Sequence, residues 1–268
     1  MWDWGWKIKA RLRRARNLFY CPPPPPAFRF RHPRPAMERL LAILLLGLLS
    51  GCASYRDLAS EPLRMSQDIA GFEEADRVSP PPADALLLSG ASTMRLWKSA
   101  PQDFAPMPLI NRGFGGSYTT EVLGYMERIT LPYHPRVVVL HCGSNDINAG
   151  DSAERVVARV EAYLAGLRKV CPDAALVILS TTHAPSRRAK WDEMRRADAG
   201  FRRIVAESRG VAFVDINEAL NFPGDEPRPG MYQKDDLHPT EAGYAAMLKV
   251  IRPAVDAAWK ANAAAHGR

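Results

Sequence analysis

Asp235 and His238 stand three residues apart, directly ahead of Pro239. In a turn, that spacing lets the carboxylate reach one imidazole nitrogen and hold its tautomer. The other nitrogen is left facing a pocket. Such a pair is a general base, and a general base activates a hydroxyl that is otherwise a poor nucleophile. Ser92, in Gly90-Ala91-Ser92, is the candidate hydroxyl. A carbonyl attacked by Ser92 develops an oxyanion, which needs donors fixed before reaction. The backbone N–H groups of Ser92 and Gly116 and the side-chain amide of Asn145 are donors of the right type, and a glycine at 116 lets backbone approach a substrate closely. Singly, each residue has an ordinary role: Ser92 as a helix cap, Gly116 and Asn145 in turns, His238 at a helix end. As an ordered set they point to acyl transfer through an ester on Ser92.

These residues must be carried by something. From residue 85 the chain alternates short apolar runs with helical patterns: ALLLS (85–89), PLIN (108–111), RVVVLHC (136–142), ALVILST (175–181) and VAFVD (211–215). Continuous apolar runs of this length read as strands covered on both faces. Residues 153–170 read as a helix with Val156, Val160, Tyr163, Leu164 and Leu167 on one face. Further helices are expected over 186–208 and 240–260, and a short one over 65–75 packed on the domain. Strand–helix alternation implies a parallel sheet with helices on both sides. In such a sheet ligands bind beyond the carboxyl ends of the strands. Gly90-Ala91-Ser92, the loop 112–117, Gly143-Ser144-Asn145-Asp146 and the segment 235–239 all come after strands, so all four fall on one rim.

The blocks GASTMRLW, NRGFGGS, GSND and DDLHPTEAGY resemble, in order, the four blocks of the SGNH (GDSL-type) hydrolases. The resemblance spans residues 66–255. It implies a flavodoxin-like three-layer α/β/α sandwich around a five-stranded parallel sheet. By the same resemblance Ser92 is the nucleophile, Asp235 and His238 complete the triad, Ser92, Gly116 and Asn145 form the oxyanion hole, and no cofactor is needed. Ala91 departs from the family, which has Asp or Ser there.

Composition bounds the rest. The chain has 268 residues, 47% hydrophobic and 24% charged, an ordinary globular balance, and four cysteines are too few for a disulfide framework. Its net charge of +7 sits at the front: residues 1–36 carry net +8, and the remainder −1. A basic nucleic-acid-binding face is therefore not expected. Residues 1–36, with the proline tract 22–26, are expected to be a non-native upstream extension, because Met37 stands where a signal peptide would start, or else a disordered leader; either way they lie outside the fold. Arg13-Arg14 is a poor match to a twin-arginine signal, being far from the apolar run. Residues 37–51 read as a signal peptide, with an apolar run too short to span a bilayer comfortably. Its end, LSGC, resembles the bacterial lipobox, which implies lipidation of Cys52. Residues 52–65 would be the lipidated cysteine and tether, 66–260 the hydrolase domain and 261–268 a tail. Several acyl chains anchor stably, and by resemblance to lipoprotein sorting in enteric-type bacteria, Ala53 rather than Asp after the cysteine implies the outer membrane, facing the periplasm.

Cys142 and Cys171 fall at opposite edges of the sheet and are expected to be buried free thiols. Arg112 is read either as a contact for an anionic substrate group or as half of an ion pair, and Asp236 as a surface acid. His141 and His183 end strands and are placed to line a pocket. With Cys142 they lack a metal-ligand spacing, so no metal is expected. NRGFGGS matches neither glycine-rich phosphate pattern. The expected function is a serine esterase releasing a short acyl group, such as acetyl, from an acylated glycan or lipid in the cell envelope. The alternatives are an O-acyltransferase using the same acyl-enzyme, and a non-catalytic ligand-binding lipoprotein.

Overall fold

The computed structural model describes residues 63–266, with side chains through residue 262. The expected extension, signal peptide and lipidated Cys52 lie outside the described residues.

The chain runs α1 (Ser66–Val78), β1 (Leu86–Gly90), α2 (Ser92–Leu96), α3 (Ala100–Asp103) and β2 (Leu109–Gly113). Two short helices come next, α4 (Thr119–Gly124) and α5 (Met126–Ile129), then a 3-10 turn at Leu131–Tyr133. After these stand β3 (Val137–His141), α6 (Ser144–Ala149), α7 (Ala153–Val170) and β4 (Ala175–Leu179). A second 3-10 turn at Pro185–Lys190 leads into α8 (Trp191–Glu207), β5 (Val211–Val214), α9 (Asn217–Leu220) and α10 (Glu241–His266). The five strands form one parallel sheet ordered β2-β1-β3-β4-β5. This is the flavodoxin-like order, with its switch point between β1 and β3. The expected fold class is the observed one.

The three inner strands are buried at every position, which is why their sequences are continuously apolar rather than alternating. Successive side chains leave on opposite faces. Leu87, Val138 and Ile178 pack with Val156, Val160 and Tyr163 of α7 and Phe201 of α8. Leu86, Leu88, Val139 and Val177 pack with Met247, Ile251 and Val255 of α10 and with Trp97. α7 has the predicted bounds, begun by Ser152, whose Oγ accepts from the Arg155 N–H at 3.4 Å. Gly200 lets α8 approach it, since a Cβ there would lie 2.3 Å from Val157 Cγ2. The helix expected over 186–208 opens as a 3-10 turn and becomes α-helical only at Trp191. α1 packs through the buried Ile69 and is tied down by Glu73–Arg128 at 2.7 Å. Cys142 and Cys171 are free and buried.

Candidate active site

Gly90 ends β1 with φ of 133°, and the chain then turns through Ala91 into α2, whose first residue is Ser92. The Ala91 N–H donates to the His141 carbonyl at 3.1 Å, which ties this turn to the end of β3. On the far side of the cleft, the segment before α10 folds back on itself: the Gln233 N–H donates to the His238 carbonyl at 2.8 Å. Thr240 Oγ1 accepts from the Gly243 N–H at 3.1 Å and so caps α10. Tyr244 on α10 donates its hydroxyl to the Thr93 carbonyl at 2.8 Å and packs on Trp97, with ring centroids 5.3 Å apart. α10 therefore fixes the His238 segment against the helix that carries Ser92.

This brings Ser92, His238 and Asp235 together. His238 Nε2 lies 2.8 Å from Ser92 Oγ, and His238 Nδ1 lies 2.6 Å from Asp235 Oδ2. The other oxygen, Asp235 Oδ1, accepts the backbone N–H groups of Leu237 and His238 at 3.0 Å each. Partial burial opposes ionisation of Asp235. The His238 hydrogen bond and the two backbone donors outweigh it and draw the carboxyl down to about 2. An ionised Asp235 can only accept, so the proton resides on Nδ1 and Nε2 is free to accept from Ser92. The neighbouring Asp236 is exposed, as expected, and takes a left-handed φ of 53°.

Gly116 and Asn145 meet Ser92 in one open cleft of about 500 Å³, which Asp68, Arg95, Gly115, Arg187, Leu237 and His238 also line. Gly116 has a left-handed φ of 75°, and its carbonyl accepts from Arg64 Nη2 at 3.0 Å. Arg64 is itself held by Glu121 at 2.6 Å. Residues 63–65, assigned to the tether by the sequence pattern, thus brace the glycine loop: Tyr125 donates to the Arg64 carbonyl at 2.8 Å, and Leu63 packs over Gly124. Asn145 Nδ2 donates one hydrogen to the Ser117 carbonyl at 3.1 Å, which leaves its second for the cleft. Asp146, next to it, accepts from the Thr119 N–H at 2.8 Å and stitches the loop after β3 to α4. Burial raises the Asp146 pKa, against the Thr119 hydrogen bonds and the charge of Arg159.

Beneath Ser92 a small recess of about 20 Å³ is lined by Ala91, His141, Cys142, Gly143 and Thr182, among others. His141 donates or accepts at Nε2 with Thr182 Oγ1, 3.0 Å away, and burial draws its pKa down to about 4, so the ring is neutral. His183 does not line the cleft. Its Nδ1 meets Asp225 at 2.8 Å, its Nε2 meets Asp198 at 3.3 Å, and its ring stacks on Trp191. Arg112 is half of an ion pair with Asp76 and also meets the Tyr133 hydroxyl, which resolves its two readings in favour of structure. Two further hollows run along α10, and neither contains a serine, cysteine or histidine.

Two residues of the cleft, Arg95 and Arg187, are not singled out by the sequence pattern. Arg95 had a usable signal, standing one helical turn after Ser92; Arg187 had none, because its place depends on the path of the 3-10 turn after β4.

A model of the GDSL-like lipase/acylhydrolase family matches residues 83–246. No curated protein matches the sequence. Among solved structures, a protein from Streptococcus pneumonia described as a candidate platelet activating factor is similar, with a TM-score of 0.63 and 18% identity over 80% of this chain and 98% of that one. A GDSL-like lipase from Bacteroides thetaiotaomicron aligns with a TM-score of 0.60 and 19% identity, covering 71% and 98% of the two chains. A variant of an acetyl-xylooligosaccharide esterase from Geobacillus Stearmophilus gives a TM-score of 0.53 and 15% identity, covering 65% and 95%.

Proposed function

Because the chain belongs to the GDSL-like lipase/acylhydrolase family and is a carboxylic ester hydrolase, we propose that it removes a short acyl group, such as acetyl, by way of Ser92, His238 and Asp235. The observation that carries this is the continuous relay from Ser92 Oγ through His238 to Asp235, at 2.8 and 2.6 Å. Ser92 Oγ attacks the ester carbonyl as its proton passes to His238 Nε2. Asp235 stabilises the imidazolium that forms. The carbonyl oxygen, now negative, takes hydrogen bonds from the Ser92 and Gly116 N–H groups and from Asn145 Nδ2. Collapse expels the alcohol, which leaves with the proton from Nε2. Water then repeats the sequence on the acyl-enzyme, releasing the acid and restoring Ser92.

The recess beneath Ser92 supports a short acyl group. Its 20 Å³ is room for about one water-sized group, hence a methyl. The test is hydrolysis of p-nitrophenyl acetate, butyrate and octanoate by the wild type and Ser92→Ala. Turnover should fall steadily from acetate to octanoate, and Ser92→Ala should lose on the order of 10⁴-fold or more in kcat on acetate. A wild type no faster than Ser92→Ala on all three esters would remove this reading.

The LSGC motif supports attachment of the domain to the envelope through Cys52. In cells fed an alkyne fatty acid, the wild type should take up label and partition into detergent, whereas Cys52→Ser should do neither. Unlabelled wild-type protein in the aqueous phase would overturn the anchor.

A further inference from the structure

Among the described residues the other arginines have partners, the exposed Arg209 excepted. Arg64 meets Glu121, Arg128 meets Glu73, Arg188 meets Glu226, and Arg252 meets Asp256, while Arg136 and Arg168 donate to backbone carbonyls. Arg95 and Arg187 are different. Both line the cleft with Ser92 and His238, and among the described residues neither has a carboxylate within ion-pair distance.

Arg95 is three residues after Ser92 on α2, so the two share a helix face. Its guanidinium lies against Gly115, where a Cβ would come 2.8 Å from Nε and 2.9 Å from Nη2. Gly115 has no left-handed φ to explain it. Its missing side chain instead makes room for the arginine beside the Gly116 loop. Arg187 stands on the 3-10 turn after β4, half-buried, and its Nε is buried with no hydrogen-bond partner among the described residues. A buried donor left unpaired is costly unless a ligand completes it. The nearby acids do not offset these charges: Asp235, outside the cleft lining, is committed to His238, and Asp68, on the lining, is an exposed residue in the first turn of α1, where the helix dipole favours a negative charge.

We propose that Arg95 and Arg187 form an anion subsite for a carboxylate or phosphate on the alcohol portion of the ester. The assignment to the alcohol rests on the esterase reading: the recess beneath Ser92 has room for a short acyl group, which leaves the open cleft to the alcohol portion. A guanidinium presents parallel N–H donors that match either anion in bidentate fashion. The substrate class is thus an acylated acidic molecule, whether an acid sugar or a phosphate-bearing lipid or polymer.

The test uses four acetates of matched size with the full-length protein: 3-acetoxybenzoate, its neutral methyl ester, 3-acetoxyphenyl phosphate, and the cationic 3-acetoxy-N,N,N-trimethylanilinium. After correction for uncatalysed hydrolysis, at least one anionic ester should exceed the methyl ester in kcat/KM by about tenfold, with the cationic ester lowest. Arg95→Gln and Arg187→Gln should each compress that ratio toward one, Arg187→Lys should retain part of it, and added salt should lower it. Arg203→Gln, which removes an exposed charge from α8, should leave the ratio as it was. A wild-type ratio within twofold of one, or a ratio unchanged in both glutamine variants, overturns the proposal while leaving the esterase reading intact. Absence of turnover on every ester defeats the esterase reading instead. Calorimetric titration with 3-hydroxybenzoate, 3-hydroxyphenyl phosphate and neutral 3-hydroxybenzamide then decides the subsite. Anion binding that Arg187→Gln loses supports it, and equal binding of the amide overturns it. Preference for the carboxylate identifies an acid-sugar type of substrate, and preference for the phosphate a phospholipid or phosphate-polymer type.

Discussion

Asp235→Asn lowers kcat on acetyl esters by on the order of 10³, with little change in KM. The two carboxylate oxygens divide their work. Oδ1 accepts the N–H groups of Leu237 and His238, and an asparagine keeps those bonds only by placing its carbonyl oxygen there. Its NH₂ then faces His238 Nδ1, which must give up its proton to accept. The proton moves to Nε2, and an Nε2 that carries a proton donates to Ser92 rather than receiving from it. The base is lost while every heavy atom stays in place. Water tempers the loss, because the Asp235 side chain is 45% exposed and solvent can in part substitute for the carboxylate. KM holds because Asp235 is not among the residues lining the cleft. Since the wild-type carboxyl is drawn down to about 2, it is ionised throughout the range above pH 4. Any acid limb seen there in the wild-type pH–rate profile therefore belongs to another group. Steady-state kinetics of the variant on p-nitrophenyl acetate checks the effect, and a kcat within tenfold of the wild type would mean that Asp235 does not hold the tautomer.

Much of this site was legible because its residues are placed by local rules. Continuously apolar runs place the inner strands, a parallel sheet delivers the loop after each strand to one rim, and the spacing of Asp235 and His238 is itself a turn geometry. α7 was legible for the same reason: Val156, Val160, Tyr163, Leu164 and Leu167 recur at helical spacing along one face. The features that were not legible depend on partners far away in sequence. Arg112 looks the same from sequence whether it meets a substrate or Asp76, and only the packing of α1 brings that acid within reach. His183 ends a strand just as His141 does. Yet Asp198 and Asp225 claim it, from 15 and 42 residues on, while His141 stays beneath Ser92. The helices α2 to α5 are each four to six residues long, too short to show a helical period. Residues 63–65 carry no pattern at all; they matter because Arg64 happens to reach both Glu121 and the Gly116 carbonyl.

The glycine that ends β1 is where fold and site make the same demand, and Gly90→Ala should cost roughly 4 kcal/mol or more. Gly90 pairs in register with His141 of β3, at the switch point. A Cβ on Gly90 would fall 1.9 Å from the His141 carbonyl oxygen and 2.7 Å from its carbon. Both atoms are backbone, so no rotamer change relieves the overlap, and φ of 133° is in any case a conformation that side chains avoid. Relief requires β1 and β3 to part, which strains two bonds at once: the Ala91 N–H to the His141 carbonyl, and the Phe114 N–H to the Gly90 carbonyl, at 3.1 and 3.0 Å. Those bonds position Ser92 on one side and the glycine loop on the other, so activity goes with stability. For a domain of this size the expected fall in Tm is about 10 °C or more. Gly71→Ala provides the contrast. Gly71 lies in the exposed middle of α1, and a methyl group added there would meet nothing within 4 Å. Alanine at 71 therefore gains helix propensity of roughly 0.5–1 kcal/mol and raises Tm by about a degree or more. Thermal melts of the two variants beside the wild type separate the explanations. A Gly90→Ala variant that melts at or above the wild type, as Gly71→Ala should, would mean that the close approach of β1 to β3 is not what requires a glycine at 90.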